Sequence, residues 1–254
     1  MMASERKNGQ PTIEFDVLTA NYMSDWRFGQ RFFELLIDTD VRLTPEKIGN
    51  SDNLTKYENI ASFESHWGKK VRLEGPLGPS DVLWPVAWHR RTKLESNGRV
   101  SFTDRNKKGD LIFGNIFMSS AYDEATDWLK FFKEVCELTK AAAGFIHIPA
   151  EVERRENGYS PYYPGVGGSI LKKQFPNIAW ATFFGPPYAH EVDFKKLAEL
   201  GYCVEELADG YLLLMSDNIM DSFNDFPTFS RRRVELKKLF RPDLFRITEE
   251  AEVS

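Results

Sequence analysis

The stretch with the most definite structural character is Trp180-Ala181-Thr182-Phe183-Phe184-Gly185-Pro186-Pro187-Tyr188. Its apolar first half predicts a buried strand, with helical patterns before and after it. Gly185 permits a tight turn, and Pro186 and Pro187 fix φ ahead of the following helix. We therefore interpret this stretch as a structural element of a sheet. The alternative is an exposed aromatic anchor for a partner.

Apolar residues elsewhere recur at strand spacing in some segments and at helical spacing in others. Strand patterns cover residues 12–19, 82–90, 100–103, 111–118, 145–150 and 178–184. Helical patterns cover residues 26–38, 123–143, 169–175, 191–200 and the end of 221–240. Residues 40–70 lack a firm period, which predicts a loop with short helical pieces. The predicted fold is α+β, with antiparallel β-meander sheets packed against several amphipathic helices.

Short turn signals separate the predicted strands. Asn97-Gly98 predicts a type I′ hairpin turn, because both residues tolerate positive φ. Lys108-Gly109 and Asp209-Gly210 predict two further turns. Pro85 predicts an edge position or a bulge for the strand that contains it, since proline cannot donate a ladder hydrogen bond.

A single domain is expected to span residues 12–240. A disordered leader of residues 1–11 would precede it, and a frayed tail of residues 241–254 would follow. Both halves run strand, helix, then antiparallel strands. Two packed lobes, of about residues 12–150 and 151–240, are therefore an alternative.

Composition excludes several functional classes. Of the 254 residues, 42% are hydrophobic and 28% charged, which is typical of globular proteins. The formal net charge of −5 argues against direct nucleic-acid binding, because such binding depends on neutralising phosphates. No apolar run is long enough to span a membrane, and the polar start lacks the apolar core of a secretory signal. We expect a cytoplasmic protein whose mildly acidic surface could face a basic partner.

The chain offers one candidate metal constellation. His147, Glu151 and Glu153 could project from one face of a strand end and hold a divalent cation, as a metal-dependent hydrolase would require. The alternative is a polar strand end entering a charged loop, with no metal, cofactor or catalytic residue. The sequence contains no Gly-x-Ser-x-Gly elbow and no complete Gly-rich phosphate loop, so we do not expect an enzyme.

Two charge patterns lie near the end of the chain. Asp217, Asp221 and Asp225 recur every four residues, which on a helix would form an acidic ridge. Such a ridge is either solvated or faces a basic partner. Arg231-Arg232-Arg233 and Lys237-Lys238 are interpreted as the solvated face of a helix rather than a phosphate grip.

A longer pattern surrounds the opening stretch: Gly168-x-x-x-Lys172-x-x-x-Pro176-x-x-x-Trp180-x-x-Phe183-Phe184-Gly185-Pro186-Pro187-Tyr188. Over roughly residues 165–215 it resembles the Immunity protein 52 family of bacterial polymorphic-toxin and type VI secretion loci. The resemblance implies a small α+β cytoplasmic protein without catalytic residues. Such a protein would bind and neutralise a cognate toxin delivered between competing bacteria. It also implies a nuclease-type toxin, of the restriction-endonuclease-like class, as the partner.

The expected interface combines aromatic and acidic side chains. Residues 151–168 form a long loop rich in Tyr, Pro and Gly, and long loops in compact domains are commonly functional. The candidate contact residues are Tyr159, Tyr162, Tyr163, Glu205, Glu206 and Asp209. They would occlude the active cleft of the toxin. The alternatives to an immunity protein are the metal-dependent hydrolase and a structural adaptor of a secretion assembly. The sequence leaves the oligomeric state open.

Overall fold

The computed structural model describes residues 10–50, 53–75, 78–155, 158–166 and 173–250. In these ranges a large antiparallel sheet is combined with five α-helices, so the predicted α+β class is confirmed. Among the described helices, none is both long enough and apolar enough to cross a membrane.

Contacts divide the chain into two compact units. The first unit is formed by residues 17–141, and the second unit by residues 1–16 together with 142–254. The boundary falls within strand β1 (Thr12–Thr19), which therefore contributes residues to both units. The single domain and the two lobes considered from the sequence stay predictions.

The first unit holds two helices, α1 (Trp26–Thr39) and α2 (Trp128–Thr139). Its strands are β2 (Lys47–Asn50), β3 (Asn53–Lys56), β4 (Lys70–Leu73), β5 (Ser80–Leu83), β6 (Val86–Arg90), β7 (Ser96–Ser101), β8 (Asp104–Arg105), β9 (Leu111–Ile112) and β10 (Gly114–Ala121). The strand order in its sheet is β1-β10-β7-β6-β2-β3. Strands β4 and β5 form one separate hairpin, and β8 and β9 form another.

Helix α2 is shorter than the pattern over residues 123–143 predicts. It begins after Asp127, whose carboxylate accepts a hydrogen bond from the backbone N–H of Lys130. It ends at Lys140, which adopts a left-handed conformation with a φ of 49°. The next strand starts at Ala143, so the last residues of the predicted helix form a short connection and the start of that strand.

The predicted meander exists as β6, β7 and β10, but the turn at Asn97-Gly98 is wrong. Both residues lie inside β7, where Gly98 is the register partner of Trp88 on one side and of Met118 on the other. A Cβ at Gly98 would lie 2.1 Å from Cζ2 of Trp88. The glycine is therefore explained by the indole that lies against the strand. The predicted turn at Lys108-Gly109 is confirmed, since it joins β8 to β9 with a φ of 85° at Gly109.

Two further expectations fail in the first unit. Residues 40–70 contain the paired strands β2 and β3 as well as short 3₁₀ helices. The strand predicted over residues 82–90 is interrupted at Pro85, because β5 ends at Leu83 and β6 begins at Val86. Strand β6 lies between β7 and β2, so the predicted edge position is wrong.

In the second unit the strand order is β15-β16-β14-β11-β1. Its strands are β11 (Ala143–His147), β12 (Arg154–Arg155), β13 (Gly158–Tyr159), β14 (Ala181–Phe184), β15 (Cys203–Leu207) and β16 (Gly210–Leu214). Its helices are α3 (Phe194–Glu199), α4 (Asp221–Asn224) and α5 (Phe226–Lys237). The turn predicted at Asp209-Gly210 is confirmed, because Leu207 and Gly210 close the β15–β16 hairpin.

The ends of the predicted domain differ from expectation where the structure describes them. Most of the predicted leader, and the predicted helix over residues 169–175 up to residue 172, lie outside the described residues. The predicted frayed tail is wrong for residues 241–250. Leu244 and Phe245 are buried, and Phe245 forms a bridge with Phe175.

Candidate functional site

The second unit contains a buried pair of polar side chains, His147 and Glu153. His147 ends β11, and Glu153 ends the 3₁₀ helix Glu151–Glu153. Nε2 of His147 lies 2.9 Å from Oε2 of Glu153, and neither side chain is exposed. The same carboxylate oxygen accepts a hydrogen bond of 3.0 Å from the backbone N–H of Ala150. The pair therefore fixes the chain where it leaves the sheet.

The hydrogen bonds of His147 determine its tautomer. Its Nδ1 accepts the backbone N–H of Trp180 at 3.1 Å, so Nδ1 carries no proton. Nε2 then carries the proton and donates it to Glu153. Both nitrogens of the imidazole are therefore engaged in hydrogen bonds within the protein.

Glu153 also joins a network of charges that reaches the end of the described chain. Nη1 of Arg233 donates to Oε1 of Glu153 at 2.9 Å and to the carbonyl of Ile178 at 3.1 Å. Nη2 of Arg233 and Nζ of Lys237 both donate to Glu250. Two carboxylates thus face two cations inside the second unit, and the segment that carries Glu250 is held against α5.

The environment shifts the pKa of two members of this network. Burial alone would raise the pKa of Glu153, but His147 and Arg233 outweigh it and lower the pKa to about 2. Burial lowers the pKa of Lys237 to about 8, against the opposing effect of Glu250. Glu153 is therefore a carboxylate at neutral pH, as the donors around it require.

Arg233 corrects the expectation that the basic run is a solvated face. Arg231 and Arg232 are exposed, but Arg233 is fully buried. Its guanidinium carbon lies 5.5 Å from the ring centroid of Phe226 and 5.3 Å from that of Phe229. These three residues recur at positions i, i+3 and i+7 of α5, which is the spacing of one helix face. That spacing is the sequence signal that could have identified Arg233 as buried.

The structure also corrects the proposed metal constellation. His147 and Glu153 meet, but Glu151 is exposed and lies apart from this pair, on the surface. The polar atoms of His147 and Glu153 are engaged with Trp180, Ala150 and each other. No group of three His, Cys, Asp or Glu side chains within the described ranges is arranged to hold a metal ion.

A surface groove with a volume of about 440 Å³ lies beside the buried network. It is lined by residues 150–152 and by Phe223, Asn224, Phe226 and Pro227. Phe226 is common to both features, because its ring lines the groove and also contacts the guanidinium of Arg233. The groove is mainly apolar, with Glu151 as its charged lining residue.

The predicted acidic ridge is not a single helix. Asp221 begins α4, whereas Asp225 precedes α5 and caps it by accepting from the backbone N–H of Thr228 at 3.2 Å. Asp217 and Asp225 are exposed, and Asp221 is half-buried. The three carboxylates therefore border the segment that supplies one wall of the groove.

The residues of the opening stretch are mostly buried. Trp180 donates from its indole N–H to the carbonyl of Ser216 at 3.0 Å, and Phe184 stacks on Phe240 with ring centroids 5.5 Å apart. The carbonyl of Gly185 accepts the backbone N–H of Tyr188 at 2.8 Å, which closes a turn.

The other residues of the pattern from Gly168 to Tyr188 are buried, exposed in the turn or outside the described residues. Tyr188 packs against Phe175 at 4.5 Å between ring centroids, and Pro176 is also buried. Pro186 and Pro187 are exposed within the turn. Gly168 and Lys172 lie outside the described residues. The burial supports the structural interpretation of the stretch.

The predicted contact residues lie on different elements. Tyr162 and Tyr163 follow β13 and are half-buried, and Tyr163 donates its hydroxyl to Glu14. Glu205 and Glu206 lie on β15, where Glu206 is exposed. Asp209 is exposed in the turn after β15, and the side chain of Tyr159 lies outside the described part of the chain. The sequence does not reveal the groove, because its lining residues come from two segments that are far apart in the chain.

Comparison with known proteins gives a likeness in structure but none in sequence. No protein-family model matches the chain, and no curated protein matches it. The chain is similar in structure to the Pseudomonas aeruginosa T6SS protein PA0821, with a TM-score of 0.52 and 9% sequence identity. The likeness covers 92% of this chain and 77% of that protein. At this identity it shows a shared fold.

Proposed function

We propose that this protein is an immunity protein of a type VI secretion locus, which binds and neutralises a cognate antibacterial toxin. The observation that carries the proposal is the likeness to a T6SS protein over 92% of the chain. The pattern from Gly168 to Tyr188 resembles the Immunity protein 52 family, although no protein-family model matches the chain.

The polar groups of the second unit favour binding over catalysis. A hydrolytic site needs a base or a metal ligand that is free to meet substrate. His147 and Glu153 are instead buried and hydrogen-bonded to the protein. These two side chains stabilise the fold, so they do not support a metal-dependent hydrolase that would use them as ligands.

The proposed mechanism is occlusion of the toxin's active cleft, one immunity protein for each toxin. We propose a nuclease-type toxin as the partner and the cytoplasm as the place of action, since nucleic acid lies there. Inhibitors of this kind reach nanomolar affinity, equivalent to about −12 kcal/mol. The predicted contacts at Tyr159, Tyr162, Tyr163, Glu205, Glu206 and Asp209 stay predictions.

Co-expression with the product of the neighbouring toxin gene tests this function. We expect growth to be restored by this protein, and purified protein to inhibit the toxin's nuclease activity at a one-to-one ratio. Excess divalent metal should not relieve the inhibition, which separates occlusion from chelation.

A variant that does not fold provides the negative control. Persistent toxicity in the presence of folded wild-type protein contradicts the proposal. Complete inactivation of the toxin by a small fraction of one equivalent would also contradict it, since turnover indicates an enzyme.

A further inference from the structure

The groove beside α4 and α5 has the composition of a docking site for a protein side chain. It is an open surface groove with a volume of about 440 Å³, which is room for one side chain of a partner. Phe223, Pro227 and Val152 are partly or fully exposed, so their apolar surface is accessible. Aromatic side chains in such pockets dominate interface energies.

The two walls of the groove are tied together. One wall follows β11, and the other is formed by α4 and the start of α5. The hydroxyl of Ser222 donates to the carbonyl of Ile148 at 2.9 Å, which joins these walls inside the protein. The guanidinium of Arg233 packs against the ring of Phe226 inside the protein. The groove is therefore formed before any partner arrives, which lowers the entropy cost of binding.

Carboxylates stand in the segments that line the groove. The segment Ser216–Phe226 carries Asp217, Asp221 and Asp225 and contains no Lys, Arg or His. Glu151 adds a fourth carboxylate from the opposite wall. An apolar groove that is lined by Glu151, with Asp221 and Asp225 in the chain segment of its other wall, is complementary to an apolar side chain flanked by Lys or Arg.

We infer that this groove is the docking site for a basic segment of the cognate toxin, with one apolar side chain inserted between Phe223 and Val152. The inference rests on the proposed function. A nuclease binds the phosphates of its substrate through Lys and Arg. A carboxylate-bordered groove that takes those cations competes directly with nucleic acid, and this competition gives occlusion its chemical basis.

Paired charge variants test the inference. The Glu151→Lys/Asn224→Lys variant makes the net charge at the groove more positive by three, and both side chains are exposed. The matched control, Glu137→Lys/Asp38→Asn, makes the same change in net charge at two exposed side chains of α2 and α1. We expect the groove variant to weaken toxin binding by about ten-fold or more, mainly through slower association, and the control to change it by less than about three-fold.

A third variant, Phe223→Ser, tests the apolar contact. We expect it to weaken binding by about ten-fold through faster dissociation, with a thermal melt recorded to show that it stays folded. If Phe223→Ser is not folded, Val152→Ser is measured in the same way, with the same expected weakening.

The outcomes separate the inference from the function. If wild-type protein neutralises the toxin and the folded groove variants bind as tightly as wild type, the groove is not the docking site, although the immunity function stands. If only the Glu137→Lys/Asp38→Asn variant loses binding, the interface lies on α1 and α2 and the inference is overturned. If wild-type protein neither binds nor neutralises the toxin, the proposed function itself fails.

Discussion

Nη1 of Arg233 lies 2.9 Å from Oε1 of Glu153, and neither side chain is exposed to solvent. This ion pair joins the middle of α5 to the end of the 3₁₀ helix after β11. Removing two charges from water is costly, and their attraction offsets that cost only when further hydrogen bonds complete the geometry. Here His147, Ala150 and Ile178 supply those hydrogen bonds. Loss of one member leaves the other charge buried without its full set of partners.

Glu153→Gln is therefore expected to lower the free energy of unfolding by about 3 kcal/mol or more, because the neutral amide leaves Arg233 without one of its two carboxylates. Urea unfolding followed by circular dichroism measures the change. The matched control is Glu235→Gln on the same helix. Glu235 pairs with Lys238 at 2.7 Å, but both side chains are more than 60% exposed.

We expect that control to change the free energy of unfolding by about 0.5 kcal/mol or less. Equal losses in the two variants would contradict the structural importance assigned to the buried pair.

The same carboxyl predicts a pH dependence. Its pKa falls from about 4.5 to about 2 on folding, because His147 and Arg233 outweigh the effect of burial. A carboxyl with a lowered pKa in the folded state stabilises the fold above its unfolded pKa and loses that contribution as pH falls. The difference in unfolding free energy between wild type and Glu153→Gln should thus shrink from pH 4.5 to pH 2. A difference that stays constant across this window would count against the assigned cause.

Local sequence signals were sufficient for part of the fold. The hairpin at Asp209-Gly210 and the turn at Gly109 follow from residues adjacent in the chain. Strands β2 and β3 are polar and short, so no local period reveals them. They form because Ile48 pairs with Trp88 of β6, a contact between residues that are far apart in the sequence. Non-local pairing of this kind is not visible in a hydrophobic pattern.

Gly98 is a second position where a contact with a distant residue is not visible in the local sequence, and it gives a testable prediction. Its neighbour Asn97 makes the pair look like a turn, although the glycine is explained by the indole of Trp88, to which Gly98 is paired across the sheet. Gly98→Ala should lower the free energy of unfolding by about 1–3 kcal/mol, because a Cβ would overlap the buried ring. Gly165→Ala is the control, since its Cβ would approach only Pro176, at 3.8 Å. Thermal and urea unfolding of both variants measure the difference, and an unaffected Gly98→Ala protein would contradict the packing argument.

The candidate site was less accessible to sequence reasoning than the fold. His147 and Glu153 were identified together, but as metal ligands, because spacing alone does not show that Arg233 and Trp180 occupy their polar atoms. The run of three arginines predicts a solvated Arg233, whereas the side chain is fully buried. Its spacing from Phe226 and Phe229 carried the correct information. Helical periodicity is therefore a better guide to the burial of this arginine than the charge of its neighbours.

The stretch from Trp180 to Tyr188 supplies the last prediction, which separates a structural role from a contact role. Phe184 is fully buried and stacks on Phe240, whereas Pro187 is exposed in the turn that follows. Phe184→Ala should lower the free energy of unfolding by about 3–5 kcal/mol, because the lost ring leaves a cavity. Pro187→Ala should change it by about 1 kcal/mol or less, since only the stiffness of the unfolded chain is altered. Toxin affinity, measured by calorimetry at a temperature where both variants are folded, should match wild type in each case. A Pro187→Ala protein of normal stability that binds the toxin more weakly would instead make this turn part of the interface, because an exposed side chain acts on affinity only through contact or local shape.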